Sequence, residues 1–168
     1  LMCYANMVLA AGVAEFSAKA ADARAAAVIV PDLPLEEQGE IGQALTSHGL
    51  ALVPLVAPTT PPERLATIAA GAKGFVYVVS TRGVTGERQG LPAELAELVA
   101  AIKEEASVPA AVGFGISTPE QAAEVGAIAD GVIIGSRLVR EVADASDRDA
   151  AVAGVREFLH ATRKALAR

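Results

Sequence analysis

Two glycine-bearing turns, Gly113-Phe114-Gly115-Ile116-Ser117 and Gly135-Ser136, each follow a short apolar run and each lead into a helical pattern, about one β/α unit apart. Glycine lets the main chain approach an anion closely, and the helix behind each turn offers unpaired N–H groups and the positive end of its dipole. This is the chemistry of a phosphate cradle. In (β/α)8 barrels such cradles sit in the loops after the last two strands. The same glycines could serve only tight turns and close helix–strand packing. A third glycine-rich stretch lies upstream, Ser80-Thr81-Arg82-Gly83-Val84-Thr85-Gly86-Glu87-Arg88-Gln89-Gly90. It is long for a strand-to-helix loop, which suits a lid that excludes water over a substrate, or a plain surface loop.

The elements that must hold these turns are legible as apolar runs separated by helical periodicity. The runs are Leu1–Tyr4, Ala27–Val30, Leu52–Leu55, Phe75–Val79, Ala110–Val112 and Gly131–Ile134. Between them the period becomes helical, as in Leu95, Leu98, Val99 and Ile102 behind Pro92, or Ile41 and Leu45 behind Glu36-Glu37. Strands alternating with helices imply parallel crossovers, and strands without polar alternation are covered on both faces. A last helix, from about Asp149 to Ala167, carries Val152, Val155, Leu159 and Leu166 on one stripe and is expected to close the outer layer. No linker divides the chain, so residues 1–168 are read as one α/β domain, an incomplete TIM (β/α)8 barrel. A full barrel needs about 250 residues, roughly 31 per unit. The 168 present supply about six of the eight strands, and the absent units are expected upstream of Leu1. An unclosed barrel would leave strand edges at Leu1–Tyr4 and Gly131–Ile134 unpaired, and so prone to aggregation or partial unfolding.

Composition narrows the ligand. A net charge of −6, no basic stripe and six aromatic residues give nucleic acid no footprint. No run approaches the ~20 apolar residues of a membrane span, no secretion signal is recognisable, and the single Cys3 has no partner. A cytoplasmic location is therefore expected. The anion must be small and held mainly by backbone amides. Outside the turns, Asp130 precedes its strand and suits a stabilising turn or cap. His48 stands at a helix C-terminus where an imidazole can bond free carbonyls, and His160 lies on the last helix. Arg82 and Arg88 could steer phosphate or simply be solvated. Tyr77 could line a site or fill the barrel interior.

Taken in order, Tyr4-Ala5-Asn6, Val30-Pro31-Asp32-Leu33-Pro34, Gly74-Phe75-Val76-Tyr77, Gly83-Val84-Thr85-Gly86, Gly113 to Ala122 and Gly135-Ser136 resemble the tryptophan synthase alpha subunit over the whole chain. One departure is Met7, where family members usually have proline. The resemblance implies a TIM-barrel lyase that cleaves indole-3-glycerol phosphate into indole and glyceraldehyde 3-phosphate. It implies no cofactor or metal in this chain, pyridoxal phosphate belonging to a beta-subunit partner in an alpha2beta2 assembly. By position, Gly86, Gly113, Gly115, Gly135 and Ser136 look like the phosphate site, with Phe114 and Tyr77 on the indole side. Tyr4 resembles a pocket wall, Thr85 the lid threonine, and Asp32 a hydrogen-bonding and partner-interface position. The family's catalytic glutamate and aspartate have no counterpart after Leu1, so no catalytic residue is assigned. The other readings are a non-catalytic phosphate-binding or partner-activating module, or another phosphate-binding barrel enzyme such as one of histidine or thiamin biosynthesis.

Overall fold

The computed structural model describes residues 1–80, 93–113 and 115–167. Six parallel staves follow one another around an arc in chain order. The first is the segment Leu1–Cys3, which lies along β1 (Ala27–Ile29): Cys3 N–H donates to Ile29 O at 3.1 Å and Ile29 N–H to Leu1 O at 2.8 Å. β1 pairs with β2 (Ala51–Val53), in register from Ala27 opposite Ala51 to Ile29 opposite Val53. β3 (Leu55–Val56) carries on the β2 stave after Pro54 and opens a second, four-stranded parallel sheet, in which it pairs with β4 (Val76–Val79), β4 with β5 (Ala110–Gly113) and β5 with β6 (Gly131–Ile133).

Two strand expectations need correction. The segment at Leu1–Tyr4 makes a single bridge, Met2 to Ile29, and Tyr4 turns away as the N-cap of helix α1 (Ala5–Ala11). The run at Leu52–Leu55 is two strands rather than one, because Pro54 has no N–H to donate and breaks the ladder. Its carbonyl still accepts from Tyr77 N–H at 2.9 Å, so the arc bends there without opening.

Helices cover the outside: α2 (Val13–Asp22), α3 (Gly39–Ser47), α4 (Pro62–Gly71), α5 (Ala93–Glu105), α6 (Pro119–Gly126), α7 (Ser136–Ala143) and α8 (Arg148–Leu166). Leu95, Leu98, Val99 and Ile102 of α5 are all buried, as their spacing requires, in a core shared with Val76, Val78 and Val112. A second core gathers Val8, Val28, Ile41 and Leu45, with Cys3 half-buried at its margin, where burial pushes the thiol pKa up. His48 caps α3 through Nδ1, 2.9 Å from Ala44 O.

The last helix departs from its expected packing. Val152, Leu159 and Leu166 are exposed, and the buried residues are Phe158 and Thr162, four apart on a different face. α8 packs on α6 and α7, with Leu166 lying against Gly126 of α6, while Val152 and Leu159 of the apolar stripe stay open.

Candidate functional site

The chain folds so that the loops after β5 and β6 meet the middle of β4. A cavity of about 420 Å³ there is lined by Tyr77, Gly115, Ile116, Ser117, Ile133, Gly135, Ser136, Arg137, Arg140 and Met2. It therefore brings together four of the residues expected at a site: Tyr77, Gly115, Gly135 and Ser136.

Local geometry explains why glycine occupies these turns. At Gly113 a Cβ would come within 2.6 Å of Tyr77 Cζ, so the tyrosine ring lies across the bare backbone of the neighbouring strand. Gly113 itself is packed beneath the ring and is absent from the cavity lining. Its carbonyl accepts from both Ser80 N–H, at 3.0 Å, and Ser80 Oγ, at 3.1 Å, which fastens the upper ends of β4 and β5 together. Gly115 has φ +76°, a conformation that side chains other than glycine adopt with strain. At Gly135 a Cβ would meet nothing within 4 Å, so that glycine leaves open space.

The two helix starts behind the turns differ. On α6, Thr118 Oγ1 accepts from Gln121 N–H at 3.2 Å, and Gln121 Oε1 reaches back to Ser117 N–H at 2.8 Å. That reciprocal cap consumes the Ser117 amide. On α7 the N-cap is Gly135 and no side chain caps the helix. Leu138 N–H donates back to Gly135 O at 2.9 Å, which leaves the amides of Ser136 and Arg137 as the donors of the first turn open to an anion or to water.

Charge reinforces the asymmetry. Arg137 pairs with Glu141 and lies 5.0 Å from the Phe158 ring centroid, so much of its charge is already engaged. Arg140, one turn beyond Ser136, lines the same cavity, and among the described lining residues there is no carboxylate. Burial pushes the Tyr77 phenol up, which keeps it a neutral donor.

Tyr4 is exposed and lies outside the cavity lining. Asp32 acts on the backbone, its Oδ1 accepting from Ala5 N–H at 2.9 Å at the start of α1. Thr85, Gly86 and Phe114, with Arg82, Glu87 and Arg88, lie outside the described residues. Sequence reasoning missed Arg137 and Arg140, and it named Ser117 and Ser80 only as members of the cradle turn and the long loop, with no role of their own. Arg140 was recoverable, since i and i+4 share a helix face and Ser136 was already singled out. The Ser80 bond needed the register of β4 against β5.

Comparison with known proteins bears on this arrangement. The family model described as tryptophan synthase alpha chain matches residues 1–167. The alpha chain of Lactiplantibacillus plantarum is 44% identical over 165 residues, 98% of this chain and 61% of that relative. The alpha chain of Laribacter hongkongensis is 49% identical over 166 residues, 96% of this chain and 63% of the relative. Among solved structures, tryptophan synthase subunit alpha of Legionella pneumophila superposes with a TM-score of 0.84 at 36% identity, covering 99% of this chain and 61% of that one. A structure of the a2b2 complex of Pyrococcus furiosus gives 0.86 at 33% identity, covering 98% and 66%. The chain thus spans somewhat over three-fifths of the length of the relatives it matches, and its arc is part of the TIM barrel they form. By matched length, by identity and by shape, this chain belongs to the tryptophan synthase alpha chain family.

Proposed function

We propose that this chain supplies the phosphate-holding part of an active site that cleaves indole-3-glycerol phosphate into indole and glyceraldehyde 3-phosphate. The reading is supported above all by one cavity that joins Tyr77 to Gly115, Gly135, Ser136 and the uncapped start of α7. Backbone amides at a helix start bind a phosphoryl group well, and Arg140 adds a positive charge at the same rim. The buried Tyr77 ring offers an apolar wall to an indole. Thr85, Gly86 and Phe114 belong to this proposal by family position alone, as does the role of Tyr4 as a wall.

Retro-aldol cleavage needs proton transfers at the indole ring and at a glycerol hydroxyl, each from a group within hydrogen-bond reach. The described cavity lining contains no carboxylate, and in this proposal the acid and base are the family's glutamate and aspartate, to which no residue of this chain is assigned. The indole product would pass to a beta subunit, as the a2b2 assembly of the Pyrococcus furiosus relative suggests. Pyridoxal phosphate chemistry would belong to that subunit, and no cofactor is assigned to this chain.

The lack of a carboxylate among the described lining residues also fits a second reading, a phosphate-binding module that activates a partner without cleaving anything. Titration with glycerol 3-phosphate should give saturable binding that Arg140→Gln weakens about tenfold, the scale of one charge-assisted contact. Joining this chain to the unmatched remainder of a relative should then release indole from indole-3-glycerol phosphate. Binding without indole leaves the module reading, and no binding by either form removes both.

A further inference from the structure

The helix whose start lines the cavity has no core of its own. None of the eight residues of α7 is buried, and α8 is the element it packs on. One ion pair stands at that contact: Arg137 and Glu141, one turn apart on α7, both meet residues of α8. Their side chains are 28% and 24% exposed, which makes this the most covered of the ion pairs among the described residues. A covered pair is screened less than one on the open surface.

α8 is shaped to receive both halves of the pair. Arg137 Cζ lies 5.0 Å from the centroid of the Phe158 ring, within reach of a cation–π contact. One turn earlier stands Gly154, where a Cβ would come within 2.8 Å of Glu141 Oε2. Glycine weakens a helix interior relative to alanine, and here the carboxylate occupies the space that a side chain would take. Positions 137 and 141 of α7 are thus seated on positions 154 and 158 of α8, an i and i+4 couple on each helix.

We infer that Arg137 and Glu141 are positioning residues of the phosphate site: seated on Gly154 and Phe158, the pair holds the start of α7 so that the amides of Ser136 and Arg137 are ordered before an anion arrives. The inference rests on the phosphate reading of the cavity proposed above. It assigns the Arg137 guanidinium to α8 and not to the ligand, and leaves Arg140, which has no ion pair among the described residues, as the side-chain charge at the cavity. A site ordered in advance loses less freedom when ligand binds, so the pair raises affinity without touching the phosphoryl group. The opposite assignment, an Arg137 that leaves Glu141 for the anion, predicts the opposite sign for loss of the carboxylate, since the carboxylate would then compete with the ligand.

The test removes the pair with its charge balance kept. Arg137→Gln with Glu141→Gln takes away one positive and one negative charge together, so a change in glycerol 3-phosphate affinity reports position and not net charge. In about 0.15 M salt, which screens distant charge, the double variant should bind about threefold more weakly, the scale of one partly covered ion pair, and Glu141→Gln alone should also weaken binding. Gly154→Ala favours the helix while displacing the carboxylate, so it should weaken binding without lowering the melting temperature. In the ligand-free double variant, hydrogen exchange should quicken at the Leu138 and Val139 amides, which donate to Gly135 O at 2.9 and 3.1 Å. Tighter binding by Glu141→Gln would overturn the inference by making Arg137 a ligand freed from its counter-ion, and so would parent-like affinity in the double variant. A parent chain that fails to bind glycerol 3-phosphate removes the phosphate reading instead, while unchanged exchange at Leu138 and Val139 overturns the holding role whether or not the parent binds.

Discussion

The centre and the trailing end of the sheet are written in the same sequence idiom, an apolar run, a glycine turn and a helix, yet they are buried very differently. Val76, Val78, Ala110 and Val112 of β4 and β5 are 0% exposed, whereas every residue of β6 is half-buried and α7 has no buried residue at all. The difference teaches that the pattern encodes what can be covered, and neighbours on both sides decide what is. The cavity sits on the seam between these regions. Tyr77 and Gly115 come from the closed side, and Gly135, Ser136 and Arg140 from the open one.

The sharpest way to break this contrast is to remove equal volumes from each side. Ile102→Ala empties a fully buried position and should cost about 2–5 kcal/mol, the usual range for such a truncation. Leu159→Ala, at 46% exposure, should change stability by no more than about 0.5 kcal/mol in the chain alone. Urea unfolding measures both. Similar losses at the two positions would mean that the open end is packed in solution.

The next effect is at the seam, where two glycines face opposite demands. Gly113→Ala drives a methyl into the Tyr77 ring and should cost about 1–3 kcal/mol as an overpacked site. Tyr77→Leu in the same chain should recover most of that loss. Gly135→Ala meets no neighbour and has φ −116°, so its stability should stay within about 0.5 kcal/mol of the parent while glycerol 3-phosphate binding falls. Thermal melts with and without that ligand separate the two outcomes. Equal destabilisation by both alanines would show that Gly135 is packed and not open.

Much of this was legible from sequence because parallel strands covered on both faces read as unbroken apolar runs, and α5 repeats at helical spacing against them. Tyr77, Gly115, Gly135 and Ser136 could be grouped because the ends of successive parallel strands share one edge. What was not legible depended on a particular neighbour. Pro54 splits a strand that its apolar content alone suggests is continuous. The stripe on α8 looked like core because periodicity records amphipathicity and not which face finds a partner. Asp32 resembles a hydrogen-bonding position, but its partner, the Ala5 N–H 27 residues away at the start of α1, is set by the approach of two chain segments.

The smallest effect concerns the lower rim, where the closed side is fastened by charge. Asp130 accepts from Ala110 N–H at 2.9 Å and pairs with Lys103 at 2.9 Å, and the amide first and the ammonium second hold its carboxyl below the ordinary range near 3.9. Because the folded value is the lower one, the carboxylate contributes its full stability above about pH 4 and loses it as pH falls through the folded value. Asp130→Asn should therefore cost about 1 kcal/mol or less at pH 7, since both side chains are well exposed and the pair is screened, and should cost progressively less as pH falls through the folded value. Lys103→Met should cost less than Asp130→Asn, because the backbone amide is the larger cause of the shift. Urea unfolding from pH 7 down to pH 2 tests the order. A larger loss from Lys103→Met would make the ammonium, and not the β5 amide, the group that anchors this strand.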